Sequence, residues 1–216
     1  MLILEKQPKS IEAESYRILR TNIMYSSFDK EIKRILVTSA EPGEGKSITS
    51  GNLAIAFAHD EKKVILIDCD LRRPSLHKKF RISNNKGLSD AIINKDKLND
   101  CIQKRTEYLD ILTAGKIPPN PSEMLGSQAM SSLLDELSNI YDVIILDSPP
   151  VLAVTDAQIL STKVDGTILV VRGEKTKKDS AIAAKGVLNK VNANILGTVL
   201  NGGNKNKDNY YYHYEQ

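Results

Sequence analysis

The sequence predicts an α/β fold: a doubly wound, mostly parallel sheet with helices on both faces. Three observations lead there. Apolar runs of strand length recur along the chain, helix-favouring stretches separate them, and a glycine-bearing turn joins the first run to a helix. Runs that are apolar throughout, rather than alternating, belong to strands covered on both faces, as in a parallel sheet between helical layers.

The elements follow in order. Residues 10–28 favour a helix, with Ile11, Ile18, Leu19 and Ile23 in a broken apolar stripe, Ser10 as its cap and Pro8 just before it. Ile32 to Thr38 reads as a buried strand, and 47–59 as a helix that turns Ala54, Ala56 and Ala58 to the sheet. Val64-Ile65-Leu66-Ile67 is a second buried strand, running into Asp68-Cys69-Asp70. Residues 87–105 read as one or two short helices after a break at Gly87, and Leu109-Asp110-Ile111-Leu112 as a short strand. Pro118-Pro119-Asn120-Pro121 makes a rigid loop before a helix start at Ser122-Glu123-Met124-Leu125, and 127–139 forms the next helix. Val143–Leu146, Thr167–Val171 and Ile195–Leu200 complete the strands, with helices near 156–162 and 177–190 between them. One domain over 1–202 is expected, followed at 203–216 by a flexible tail whose composition suits no core.

Composition narrows the classes. At 216 residues the chain is long enough for one large core and little more. Hydrophobic residues at 41% and charged residues at 26% are ordinary for a globular protein, and a net charge of +3 does not argue for nucleic acid as a partner. Cys69 and Cys101 lie far apart and read as reduced thiols of a cytosolic protein, without a disulfide framework or a zinc site. His59, His77 and His213 offer no metal cluster. Met1–Lys6 lacks the apolar core of a secretion signal, and no apolar run approaches the ~18 residues of a membrane span. Any membrane association is therefore expected to run through a partner.

Chemistry concentrates in three motifs. Ser39-Ala40-Glu41-Pro42-Gly43-Glu44-Gly45-Lys46-Ser47 follows the first strand and opens a helix. A strand, a glycine turn and a helix start make a phosphate cradle, in which backbone N–H groups point inward and the helix dipole adds positive charge. Glu41, Pro42, Gly43, Glu44, Gly45, Lys46, Ser47 and Ile48 are the expected nucleotide-binding residues, with Lys46 on the β- and γ-phosphates and the Ser47 hydroxyl on Mg²⁺. Ala40 stands where the strict phosphate-loop pattern has its first glycine. The second motif is Asp68-Cys69-Asp70-Leu71-Arg72-Arg73-Pro74, whose two acids at i and i+2 can project to one side of a strand end. The third is Val143-Ile144-Ile145-Leu146-Asp147-Ser148-Pro149-Pro150, with Asp147 at a strand end where phosphate-loop folds hold Mg²⁺.

Taken together, these motifs resemble the bacterial tyrosine kinase family, and specifically the separate cytoplasmic kinase subunit of capsule and exopolysaccharide synthesis systems. The match runs through Ala40–Ser47, through Ile65–Arg72 as three aliphatics then D-x-D-x-R, and through Ile144–Pro150 as three aliphatics then D-x-x-P. The D-x-D-x-R element is the specific one. Glu14, Arg17 and Arg20 match an E-x-x-R-x-x-R motif that joins subunits of this family into a ring. On a helix they span ~120° of arc as one inclined stripe. Tyr210, Tyr211, Tyr212 and Tyr214, four of the eight tyrosines, match the family's autophosphorylation cluster.

The resemblance implies transfer of the ATP γ-phosphoryl group to tyrosine, with ATP and Mg²⁺ as cofactors. Asp68 is taken as the base that receives the phenol proton, Ser47, Asp70 and Asp147 would serve Mg²⁺, and Lys46 would stabilise charge on the moving phosphate, with the division of roles between Asp68 and Asp70 left open. Arg72 would serve phosphate or a subunit contact, and the sequence leaves both open. The family also implies a membrane adaptor whose cytoplasmic segment completes the site, a homo-oligomeric ring, a cognate tyrosine phosphatase and polysaccharide-synthesis enzymes as partners. The expected location is the cytoplasm, held at the inner face of the membrane through the adaptor. A MinD/ParA-like switch ATPase is the competing reading. Those proteins carry a lysine early in the phosphate loop, at the position of Glu41 here, and lack a terminal tyrosine cluster. A nucleotide-binding scaffold without catalysis is disfavoured by the three acids.

Overall fold

The apolar runs become strands in the computed structural model, which describes residues 2–26 and 31–202. Strands β1 (Arg34–Ser39), β2 (Val64–Asp68), β3 (Ile102–Lys104), β4 (Leu109–Leu112), β5 (Val143–Asp147), β6 (Gly166–Arg172) and β7 (Ile195–Asn201) form one sheet in the order β3-β4-β2-β5-β1-β6-β7. Every neighbouring pair is parallel except β3 with β4. Helices α1 (Ile3–Lys6), α2 (Ile11–Met24), α3 (Lys46–Ala58), α4 (Leu76–Phe80), α5 (Leu88–Ile93), α6 (Leu98–Cys101), α7 (Pro121–Gly126), α8 (Gln128–Ser138), α9 (Asp156–Ser161) and α10 (Lys178–Lys190) complete the chain order.

Burial on both faces explains why the strands carry no polar alternation. Ile35, Val37, Leu66 and Ile145 belong to a core shared with α1 to α4, and Leu36, Ile65, Ile67, Ile144 and Leu146 to a core on the opposite face with α5 to α8. Helix α3 is buried around its whole circumference, from Thr49 to Ala58, between the sheet and α2. Its small residues let the backbone approach the sheet closely. Ser10 caps α2 as expected, its hydroxyl accepting from Ala13 N–H.

Several elements depart from the sequence reading, which names no helix where α1 and α4 stand. Residues 102–104, expected within a helix, form β3 instead, an antiparallel edge strand closed by Arg105 and Thr106 N–H donating to the Leu109 carbonyl. Helix α2 stops at Met24, whereas the stripe suggested continuation to residue 28. The first strand starts at Arg34 rather than Ile32, because Lys33 and Arg34 N–H groups turn onto the Asp165 carboxylate. The tyrosine cluster at 210–214 lies outside the described residues.

Candidate active site

The strand order brings the three motifs together. β1 lies beside β5, and β5 beside β2, with Asp68 in register with Asp147 and Asp147 in register with Val37. The phosphate loop therefore leaves β1 next to both acid-bearing strand ends. Such a crevice beyond the carboxyl ends of parallel strands is where α/β sheets bind ligands.

The loop's shape depends on its glycines. Gly43 and Gly45 have φ of +81° and +98°, and a Cβ on Gly45 would sit 1.9 Å from Asn201 Nδ2. Gly45 is the N-cap of α3, so the helix opens directly onto the loop. Side chains from β6, β7 and α10 hold the loop from outside. Arg172 donates to the Gly43 carbonyl, Lys175 to that of Pro42 and Asn201 to that of Glu44. Buried Glu44 accepts from Glu41 N–H and from the Thr176 hydroxyl, and Glu41 accepts from Ser180 at 2.7 Å. This collar had no signature in the sequence, because its partners come from 129 to 157 residues away.

Lys46 is the hub of the charges. Its Nζ donates to Asp70 Oδ2 at 3.0 Å, lies 3.5 Å from Ser47 Oγ and stands 3.9 Å from Asp147 Oδ1. Burial opposes its charge, but the carboxylates of Asp147, Asp70 and Asp68 outweigh that and hold its pKa above the ordinary lysine value. Asp68 is fully buried, accepting from Asp70 N–H through Oδ1 and from Ser75 and Leu76 N–H through Oδ2. It thus caps α4, and it does not line the cleft. Burial and the nearby Asp147 charge push its carboxyl up to about 7, against the pull of those backbone donors. Asp70 lines the cleft with one oxygen on Lys46 and the other on Arg73 N–H. The expectation that both acids of the motif face one ligand is thus met only by Asp70, because the strand ends at Asp68 and alternation does not carry past it.

Asp147 differs again. Among the described residues neither carboxylate oxygen accepts a hydrogen bond, although the group is fully buried. Burial raises its carboxyl pKa, against the pull of the Lys46 charge. Buried carboxylate oxygens without partners, next to a serine hydroxyl, are hard oxygen donors of the type Mg²⁺ takes. Among the described residues no group of three or more His, Cys, Asp or Glu side chains is arranged to hold a metal alone. The residues present fit an ion shared with bound phosphate, the usual arrangement for Mg²⁺.

A cleft of about 520 Å³ opens on these groups, lined by Gly43, Lys46, Asp70, Arg72, Arg73 and Ser75 on one side and Pro149, Pro150, Ala153 and Val154 on the other. Arg72 is fixed at its edge by Asp156 and Ser122. The sequence reading named Arg72 but missed Asp156, which reads as an ordinary first-turn acid of a helix. Farther off, Arg17 pairs with Glu14 at 2.8 Å, while Arg20 turns inward to the Ala56 carbonyl and Asp60. Only part of that stripe faces outward.

Comparisons with known proteins agree with this arrangement. Residues 32–193 match the AAA domain family. Tyrosine-protein kinase YwqD of Bacillus subtilis (strain 168) is 44% identical over 214 residues, spanning 99% of this chain and 90% of that protein. The kinase domain of Escherichia coli tyrosine kinase ETK superposes with a TM-score of 0.90 at 34% identity, covering 99% of this chain and 84% of that one. The septum site-determining protein MinD from Pyrococcus horikoshii OT3, complexed with Mg-ADP, superposes less closely, with a TM-score of 0.65 at 25% identity over 78% of this chain and 69% of that one. Similarity of that extent to YwqD and ETK places this chain in the bacterial tyrosine-protein kinase family.

Proposed function

We propose that this chain is an ATP-dependent protein-tyrosine kinase that phosphorylates its own tyrosine cluster in trans, and so regulates synthesis and export of a capsular or extracellular polysaccharide. The observation that carries the reading is the convergence of Lys46, Asp70 and the buried Asp147 carboxylate, which accepts no hydrogen bond among the described residues, on the phosphate loop. A loop with inward N–H groups and a lysine holds a triphosphate. Ser47 and Asp147 would hold Mg²⁺ with Asp70 assisting, and the ion when bound would neutralise charge on the phosphates. Lys46, now paired with Asp70, would turn to the phosphate oxygens and release that carboxylate toward the cleft.

In the transfer, a tyrosine oxygen forms a bond to the γ-phosphorus as the bond to the β,γ-bridging oxygen breaks. ADP leaves, and the phenol proton passes to a carboxylate. One reading gives that proton to Asp68, which would have to loosen the start of α4 to be reached. A second reading gives it to Asp70, favoured by its place in the cleft wall. Glu14, Arg17 and the helix that carries them would join subunits into a ring, Arg20 supporting that surface from within. A membrane adaptor would activate the kinase and hold it at the inner face of the membrane, with a tyrosine phosphatase and polysaccharide-synthesis enzymes as further partners. Among the described residues no helix is long and apolar enough to cross a membrane.

Intact mass after incubation of phosphatase-treated protein with Mg-ATP tests this directly. Stepwise gains of ~80 Da are expected, absent in Lys46→Met and lost when Tyr210, Tyr211, Tyr212 and Tyr214 become phenylalanine. ADP release without any gain, with the adaptor present, would favour the switch-ATPase reading instead.

A further inference from the structure

Arg72 is held more firmly than a surface arginine needs to be. Its Nε donates to Asp156 Oδ2 at 3.0 Å and its Nη2 to Asp156 Oδ1 at 3.2 Å. The same Nη2 donates to Ser122 Oγ at 2.8 Å, and that hydroxyl donates to Asp156 Oδ1 at 2.6 Å. Three elements converge on this one cation: the loop after β2, the first turn of α7 and the first residue of α9. Asp156 is fully buried, yet the arginine it holds is 40% exposed and lines the cleft with Lys46 and Asp70.

That combination is uneven for a purely structural pair. A buried carboxylate is costly, and a pair serving stability alone would shield both partners. Here one edge of the guanidinium is locked and the other left open. Nη1 makes no hydrogen bond among the described residues. A planar fork fixed along one edge presents the remaining N–H groups in a set direction, without the rotamer cost of ordering a free arginine. Opposite charge to receive them is expected in this cleft, because a phosphoryl group in transfer spreads negative charge over its equatorial oxygens.

We propose that Arg72 is a catalytic residue whose Nη1 edge binds oxygens of the transferring phosphoryl group, and that Asp156 and Ser122 are positioning residues that aim it. The inference rests on the kinase reading of this site. Arg72 exchanges no proton in the step. It stabilises charge that Lys46 meets from the phosphate-loop side, so the two cations flank the moving group. Asp156 acts only through Arg72.

The test compares the full chain with Arg72→Ala, Arg72→Lys, Asp156→Asn and Asp156→Glu, each with the adaptor when the parent needs it. Affinities for ADP and for a non-hydrolysable β,γ-imido triphosphate are measured beside the rate of tail phosphorylation. Arg72→Ala is expected to weaken the triphosphate roughly 10-fold relative to ADP and to lower kcat by about 10²–10³-fold, the scale of losing one charge-stabilising donor. Arg72→Lys keeps the charge without the fork and should recover only part of the rate. Asp156→Asn should lower kcat and weaken the triphosphate relative to ADP, both in the direction of Arg72→Ala but less, and Asp156→Glu should regain more activity than Asp156→Asn. Equal weakening of ADP and triphosphate in Arg72→Ala, or an unchanged kcat in Asp156→Asn, would overturn the assignment. If the parent transfers no phosphate even with the adaptor, the kinase reading fails, while the triphosphate-to-ADP ratio still decides whether Arg72 reads the third phosphate.

Discussion

Asp68, Asp70 and Asp147 carry one functional group into three environments, and the environment sets what each can do. Asp70 stands in the cleft wall, largely buried, and is paired with Lys46. Asp147 is buried without hydrogen-bond partners and is suited to a cation. Asp68 is buried but bonded to backbone N–H groups, and its carboxyl is pushed up to about 7 from an ordinary 3.8. A carboxyl whose folded pKa lies above its unfolded value binds its proton more tightly in the native state. Its contribution to stability is complete below the unfolded pKa and is lost as pH rises toward the folded one. In chelator and without nucleotide, stability from this group should therefore fall between about pH 4 and pH 7, and Asp68→Asn should lack that component. The check is urea unfolding of both proteins across that range. Parallel pH profiles would rule the shifted carboxyl out. That two acids stand at the end of the second strand was legible in the sequence, since both follow a run of aliphatics. That they face different neighbours was not, because the neighbours belong to α3 and α4.

At the scale of elements, the phosphate loop and α3 act as one piece. Gly45 combines a left-handed backbone with a side-chain position already filled by Asn201. Gly45→Ala should cost roughly 1–3 kcal/mol of strain and weaken ADP binding, since the loop must shift and the Asn201 contact to the Glu44 carbonyl must break. Gly126→Ala is the control, because an added Cβ there meets nothing nearer than 3.6 Å and its φ is not in the left-handed region. Urea midpoints and a fluorescent-ADP titration read both effects, and similar behaviour of the two variants would argue that the loop tolerates a side chain. Strand-length apolar runs named six strands before the structure did. The missed strand, β3, has Ile102 as its one large apolar residue and three residues in all, so no period could establish itself. Pairing with β4 made it a strand.

For the whole molecule, charge is the variable that the proposed reaction changes. Four phosphates at roughly −1.5 to −2 charges each would carry the net charge from +3 to on the order of −4. A ring of such subunits would repel itself. Sedimentation of the full chain should therefore show larger assemblies after phosphatase treatment than after exhaustive Mg-ATP treatment, and equal distributions would count against the switch. The chain by itself determined the fold class, the phosphate loop, the candidate acids and the family resemblance, because each is written in contiguous residues: an aliphatic run, a glycine turn, an acid at a fixed offset. Only the tertiary structure decided which acid lines the cleft, which buried carboxylate is left without a hydrogen bond, that Arg20 turns inward, and that Asp156 holds Arg72. Those outcomes depend on contacts between residues far apart in the chain, as Asp156 is 84 positions from Arg72. Spacing along the chain does not encode such contacts until the sheet order β2-β5-β1 brings them to one edge.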